Sequence, residues 1–510
     1  MTRVRGTFRS ALKNAMTQRA MMQRQAALRP ALLAAVAASA LSACATGPNY
    51  KPPKPLPEAS TTLNEATRDG AGAAVTQAAL PAKWWRLFDD PALDALIEKA
   101  LVHNTDIRVA RASLRQARSL LSEQKAGWLP TTTASAQGTR QQIGTGANPQ
   151  FQLNDPIRTD FYQAGFDATY ELDLFGRVSR SVEAARGDFQ AAQAGLDDAR
   201  VSIAAETART YVTACGYAMQ AATARETVAL QQKTLDLTQR LLSGGRGTQR
   251  DVDQSVILVE QARAQAANFE AEQRAALYAL AVLTGDPPAQ FDQGVAACSR
   301  LPVISQPIPV GDGRAMLARR PDVRQAERAL AADTARIGVA TAALYPSISL
   351  LGSVTTSNVK LSELGTSNSI GWSLGSLISW NFPFNGAARA RVRQNEAIAE
   401  GSLASFDKAV LTALQETEQA LARLKGALDR EASLDRAMKA SESASFIAEK
   451  RFGAGSDSFL QLLDAQRSRA DARAALAAAQ VDRASAQVAL FKALGGGWED
   501  APEPVRVEVE

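Results

Sequence analysis

The sequence predicts a mainly α-helical, internally duplicated chain in which each copy contributes a pair of β-strands and one exceptionally long helix. Self-similarity is the first observation: Asp106–Pro130 (DIRVARASLRQAR…GWLP) resembles Asp322–Pro346 (DVRQAERALAADTAR…ALYP), an offset of 216 residues. Further on the offset settles at 210, so that Val182 faces Val392, Glu206 faces Glu416, Gly245 faces Gly455, Val252 faces Leu462, Leu280 faces Leu490 and Gly285 faces Gly495. A stable period over about a hundred residues marks a repeated structural unit. The second observation is strict alternation, the signature of a strand with two unlike faces. Ala164, Phe166, Ala168, Tyr170, Leu172 and Leu174 alternate with polar or small residues, as do Ile370, Trp372, Leu374, Ile378, Trp380 and Phe382, with Ser376 and Leu377 blurring the middle. Third, no proline interrupts residues 177–242 or 386–452. A continuous helix over either span would run on the order of 100 Å at about 1.5 Å per residue.

The elements follow in order. Residues 1–43 hold seven Arg or Lys, no acid, and an apolar run from Ala31 to Leu41. This is the pattern of a secretory signal peptide, and the run is too short for a membrane-spanning helix. Leu41-Ser42-Ala43-Cys44 resembles the bacterial lipobox, in which cleavage frees the Cys44 amine and its thiol receives diacylglycerol; an incidental cysteine after an ordinary leader is the alternative. Ala45, rather than an aspartate, follows, the pattern of lipoproteins sent to the outer membrane. Residues 44–89 form a Pro-rich segment (KPPKPLP) read as an extended strap.

The first repeat, 90–300, opens with an Asp90 cap and Pro91 at the first helical position, and its first helix is expected to end near Gly127. Thr131–Gln141 is the weaker strand partner of 164–174. Val178, Val182, Ala185, Phe189, Ala192, Leu196, Ala199 and Ile203 then follow heptad spacing with mostly small residues, the seam of a coiled coil. The second repeat, 301–497, begins with ARRPDVRQAE, where Pro321 is expected to match Pro91, and pairs Ser347–Val359 with the strand from Ile370. Its seam, Val392, Ala399, Leu403, Phe406 and Val410, is less regular. Residues 498–510 are a tail. SGGRGT (243–248) and GAGSDS (453–458) read as tight turns between helices. Cys215 and Cys298 can pair in an oxidising compartment, but the sequence leaves their separation open.

Composition excludes several function classes. The chain carries 57 basic and 52 acidic residues, and removing the leader leaves 50 against 52, so the basic balance belongs to the leader and nucleic acid is not an expected partner. His103 is the one histidine, placed on an amphipathic helix, and no Cys/His cluster has metal-ligand spacing. GGRG (244–247) lies between helices rather than after a strand, so it is not a phosphate loop. No catalytic constellation is found, and neither an enzyme nor a metal or other cofactor is expected beyond covalent lipid on Cys44.

The alternating strands suit a half-buried soluble sheet or the wall of a membrane barrel with apolar residues towards lipid. The outer-membrane leader pattern favours the wall.

With these elements in hand, the chain resembles a TolC/OprM-type outer membrane factor, and more narrowly the lipoprotein (NodT-like) branch that serves RND efflux pumps. The resemblance rests on KWWRLFDDPALDALIEKAL (83–101), RRPDV (319–323), ELDLFG (171–176) with its partner NFPFNG (381–386), and FLQLLDAQRSRADA (459–472). It implies a homotrimer in which four strands per subunit build a shared 12-stranded barrel above a coiled-coil periplasmic tunnel. Its implied partners are a periplasmic adaptor, an inner-membrane RND transporter and outer-membrane lipid. Geometry agrees, because four strands cannot close a barrel and membrane barrels start at about eight. The resemblance also implies an iris-like gate at the periplasmic tips, with Leu460 an apolar ring, Asp464 an acidic ring, Arg467 its partner and Phe452 at the adjacent helix end. Asp464 and Arg467 are also three apart on one helix, and a plain surface ion pair is the alternative. Gly244, Gly245, Gly247, Gly453 and Gly455 at the tips suit close approach by adaptor helices, or simply tight turns. Export of proteins in type I secretion and a non-channel periplasmic coiled-coil lipoprotein are the rival readings. The lipobox weighs against the first and the in-phase strands against the second.

Overall fold

The computed structural model describes residues 46–53, 63–67, 74–143, 157–298, 300–382, 384 and 386–505. The leader and Cys44 lie outside them, as does most of the KPPKPLP stretch. The main elements are α1 (Pro91–His103), α2 (Thr105–Ala126), β1 (Thr131–Ile143), β2 (Ile157–Leu172), α3 (Arg177–Ser243), α4 (Gln249–Leu283), α5 (Gly313–Arg319), α6 (Pro321–Ala342), β3 (Ser347–Asn358), β4 (Ile370–Ser379), α7 (Ala387–Gly453) and α8 (Phe459–Ala493). Both long helices, α3 and α7, have 67 residues, and α4 and α8 have 35 each. The elements therefore repeat at the 216 and 210 offsets. Gly176 and Gly386, Gly245 and Gly455, and Gly285 and Gly495 repeat their positive φ in the same way.

The single first helix expected from Asp90 to Gly127 is in fact two, broken at Asn104. That side chain is almost fully buried, and its Oδ1 accepts from the amides of Asp106 (2.8 Å) and Ile107 (3.3 Å) while its Nδ2 donates to the Leu283 carbonyl at the end of α4 (2.9 Å). One asparagine thus starts α2 and caps α4, satisfying amides and carbonyls that helix ends leave open. The same break recurs in the second repeat, where Pro321 opens α6, the counterpart of α2. Pro321 therefore matches Thr105, and its expected match to Pro91 is corrected. Arg320 sits where Asn104 does: its Nη1 donates to the Ala493 carbonyl at the end of α8 (2.8 Å), and its fork holds Asp322 and Glu416, each at 2.7 Å. The Asp90 cap forms as expected, accepting from Ala92 and Leu93.

The chain divides into two compact units, and neither coincides with a repeat, because each draws on both copies. The first unit comprises residues up to Lys51, Leu120–Arg186 and Ala331–Glu400. It holds one antiparallel sheet in the order β1-β2-β3-β4. Thr131 pairs with Thr169, and shifting these by 216 and 210 gives Ser347 and Ser379, which also pair. The duplication is thus exact at the level of ladder register. Strands β2 and β4 stop at Leu172 and Ser379, short of the alternation read to Leu174 and Phe382. Asp173 leaves the strand to cap α3, accepting from the amides of Val178 (2.9 Å) and Ser179 (2.7 Å).

The second unit comprises Pro52–Ser119, Gly187–Leu330 and Gly401–Glu510. Its core explains KWWRLF. Trp84 stacks on Phe491 with ring centroids 4.7 Å apart and donates its indole proton to the Gly496 carbonyl (3.2 Å), while Trp85 donates to Asp94 (2.7 Å). Burying aromatic rings with their N–H groups satisfied is the most productive use of such side chains. Cys215 in α3 and Cys298 form a disulfide with Cα atoms 5.4 Å apart.

Candidate functional site

Two surfaces carry the features singled out above, one in each unit. On the sheet, cross-strand register sorts the residues by face. Ala134, Phe166, Val354 and Trp372 form one row, and Thr132, Ala168, Gly352 and Leu374 the next. Thr133, Asp167, Ser353 and Ser373 form a row on the opposite face, where Ser353 and Ser373 hydrogen-bond at 2.8 Å. Apolar residues on the first face are open to the surroundings: Trp372 is 78% exposed and Leu374 79%. Ser376 falls on the apolar face and Leu377 on the polar one, the blur already visible in the sequence. A sheet that exposes its apolar rows in this way suits an apolar medium. Among the described residues no helix is long and apolar enough to cross a membrane.

In the second unit, the turns between α3 and α4 and between α7 and α8 are copies of one another. The amide of Arg246 donates to the Leu241 carbonyl (2.8 Å) and that of Gly245 to Leu242 (3.0 Å). Ser456 donates to Arg451 and Gly455 to Phe452, both at 2.9 Å. These are Schellman closures, which need a left-handed residue after the helix; Gly245 (φ +70°) and Gly455 (φ +77°) supply it. Thr248 with Asp251 and Ser458 with Gln461 form capping boxes that start the following helices. The glycines here thus make the turns, and a Cβ at Gly245, Gly453 or Gly455 would meet nothing within 4 Å, so this backbone is also open to a partner. Gly244 and Gly247 sit against their own helix end, where an added Cβ would lie 3.4 Å from the Arg240 carbonyl and 3.1 Å from the Leu242 amide nitrogen respectively.

The residues expected at a gate lie on and beside α8. Leu460 is 68% exposed, and Asp464 and Arg467 are exposed on the same face, whereas Leu462, Leu463 and Gln466 turn inward. The Phe452 ring lies 5.9 Å from Phe459 across the turn. No ion pair joins Asp464 to Arg467 in this chain; Arg467 instead faces Asp471, one turn further, at 4.0 Å.

Sequence reasoning missed three contributors. Asp471 belongs to the quoted FLQLLDAQRSRADA stretch, and its (i, i+4) spacing from Arg467 was the available signal. Arg451 holds Asp457 at 2.8 Å within the second turn. A buried polar layer, in which Thr234 donates to Gln466 (3.1 Å), joins α3 to α8. Beside it, α3, α4 and α8 enclose a cleft of about 250 Å³ lined by Gln220, Gln231, Gln261, Gln265 and Phe269, with Arg467 and Asp471 on its wall. His103 is exposed at the end of α1, and no group of three or more His, Cys, Asp or Glu able to hold a metal occurs among the described residues.

Residues 96–286 and 314–496 match the family described as "Outer membrane efflux protein". The chain is 31% identical to nodulation protein T of Rhizobium leguminosarum bv. viciae, over 91% of its own length and 93% of that protein's. It is equally similar to outer membrane protein OprJ of Pseudomonas aeruginosa, over 91% and 95% of the two chains. The solved outer-membrane channel OprN superposes with a TM-score of 0.83 at 34% identity, covering 89% of this chain and all of that one. The last of these is an outer-membrane channel, and the open sheet and paired helical hairpins fit that company. The chain belongs to the outer membrane efflux protein family, as an efflux channel of the outer membrane.

Proposed function

We propose that three copies of this chain close a 12-stranded barrel in the outer membrane, continued by a coiled-coil periplasmic tunnel, and that the assembly is the exit duct of a tripartite RND-type pump. It would release drugs or other small molecules delivered by an inner-membrane transporter, after a periplasmic adaptor docks on the turns at 243–248 and 453–458. The observation that carries this reading is the four-stranded sheet with two edges free among the described residues, apolar on one face and polar on the other. Four strands cannot close on themselves, and an even, antiparallel set closes without a mismatched edge when copies are added.

Phe452, Leu460, Asp464 and Arg467 are the proposed gate, repeated three times around the axis. The exposure of Leu460 and the absence of a cationic partner for Asp464 among the described residues of its own chain support a role between chains. Cys44 is the proposed lipid anchor. In support, the chain just beyond it is pinned: Thr46 donates its amide and hydroxyl to the Phe175 carbonyl (3.3 and 2.8 Å), and buried Arg180 donates to Asn49 (2.6 Å). The segments 90–300 and 301–497 are the proposed first and second structural repeats after the strap 44–89.

Planar-bilayer recordings combined with heat-modifiable mobility on gels test the reading. Stepwise conductance from a heat-dissociable trimer is expected, and a non-conducting monomer would refute it.

A further inference from the structure

Among the described residues, strands β1 and β4 are the unpaired edges of the sheet, and β4 is an unusual edge. IGWSLGSLIS contains no charged residue and no proline, the devices by which soluble sheets discourage further pairing. The occupant of that edge can be derived from the duplication. Moving β1 by 216 and β2 by 210 reproduces the β3–β4 register, so the same operation relates all four strands. Applied to the central β2–β3 ladder, it carries β2 onto β4 and β3 back onto β1. This chain's own β1 lies at the far edge, so the β1 that meets β4 must belong to a second copy.

We infer that β4 of one copy pairs antiparallel with β1 of the next in a single register, fixed by the β2–β3 ladder. Ala168 opposite Gly352 becomes Ile378 opposite Ala136, and Phe166 opposite Val354 becomes Ser376 opposite Gly138. Tyr162 opposite Asn358 becomes Trp372 opposite Gln142, and Leu172 opposite Ile348 becomes Phe382 opposite Thr132. The inference rests on the closure proposed above and adds its register.

Three independent features agree with it. Face is conserved across the seam: Ile378 belongs to the apolar face, as does Ala136, which pairs with Ala164. A slip by one residue would turn the Ser373 face towards lipid. Bulk is complementary, because Trp380 and Ile378 meet Ala134 and Ala136, as Leu374 meets Gly352 within the chain. The apolar alternation that runs past Ser379 to Phe382, unused by the ladder with β3, gains a partner in β1.

Cysteine pairs in the full-length lipoprotein, oxidised in isolated outer membranes, test the register. Edge strands of one sheet lie about 14 Å apart at about 4.8 Å per strand, too far for a bond within a chain, since a disulfide needs Cα atoms within about 7 Å. Ile378→Cys with Ala136→Cys should form covalent dimers and trimers at least tenfold faster than Ile378→Cys with Ala134→Cys or with Gly138→Cys. If an offset pair is fastest, the register is wrong while the closure stands. If no pair links in a protein that conducts as a trimer, β4 and β1 do not meet and the inference falls. If the wild-type protein is a non-conducting monomer, the closure itself fails.

Discussion

Arg467 faces Asp471 at 4.0 Å along α8, and Asp464, one turn before, has no cationic partner among the described residues. Exposed pairs are worth about 0.2–1 kcal/mol each, so any latch that Asp464 forms must come from another chain and gain by threefold repetition. Asp464→Ala with Arg467→Ala is expected to raise open probability roughly 5- to 150-fold, for about 1–3 kcal/mol lost over three copies. Single-channel recording measures this, and sensitivity to a large antibiotic such as vancomycin reports it in cells. Unchanged recordings would place the latch elsewhere.

The Cys215–Cys298 bond joins residues 83 apart and encloses the whole turn between α3 and α4. Its counterpart position in the second repeat is Lys425, so the second hairpin carries no such staple. Constraint of the unfolded chain predicts a loss of about 2–4 kcal/mol in Cys215→Ser with Cys298→Ser. Thermal unfolding should show a lower Tm for the double variant, and reductant should lower the wild type without moving the variant further.

Burial raises the Asp198 carboxyl above its ordinary value, and the nearby Asp322 adds to this against Arg320 and Lys492. Because the folded state holds the proton more tightly, stability from this group is greatest below the unfolded pKa. It falls as pH rises towards the folded pKa and stays lower above it. Asp198→Asn is expected to raise stability at neutral pH by roughly a few tenths to 1 kcal/mol and to flatten the dependence on the acid side. Denaturant titrations at several pH values check the sign. A variant that is less stable at neutral pH would contradict the argument.

Gly453 and Gly455 separate turn formation from docking. Gly455→Ala places a Cβ in open space but at φ +77°, so it is expected to cost about 1–2 kcal/mol through the backbone alone. Gly453→Trp has no such strain, and its Cβ meets nothing within 4 Å. Conductance should survive it, while drug resistance in a strain dependent on this duct should fall if an adaptor docks there. Undiminished resistance would remove the second turn from the docking surface.

The long helices were legible because proline is absent and apolar residues keep heptad phase: Val178, Val182, Ala185, Leu196 and Ile203 are all buried. The strands were legible through alternation, though their ends were not, because Asp173 serves a cap rather than a ladder. The break at Asn104 escaped because one side chain serves two helices, and the second is nearly 180 residues away in sequence. The disulfide could not be decided for a similar reason, since only folding brings residues 215 and 298 together. At the candidate gate the residues came from the family resemblance rather than from periodicity, and their pairing was not legible: two carboxylates flank Arg467, and spacing alone does not choose between them.

The bare β4 edge has a cost earlier in the life of the protein. Before it reaches the outer membrane, a single subunit carries a ten-residue, uncharged, proline-free edge beside exposed tryptophan and leucine side chains. Such an edge is a template for indiscriminate strand addition. In the assembly proposed above this edge becomes a seam, so the same strand is a hazard in transit, and brief exposure or a holding chaperone would limit it.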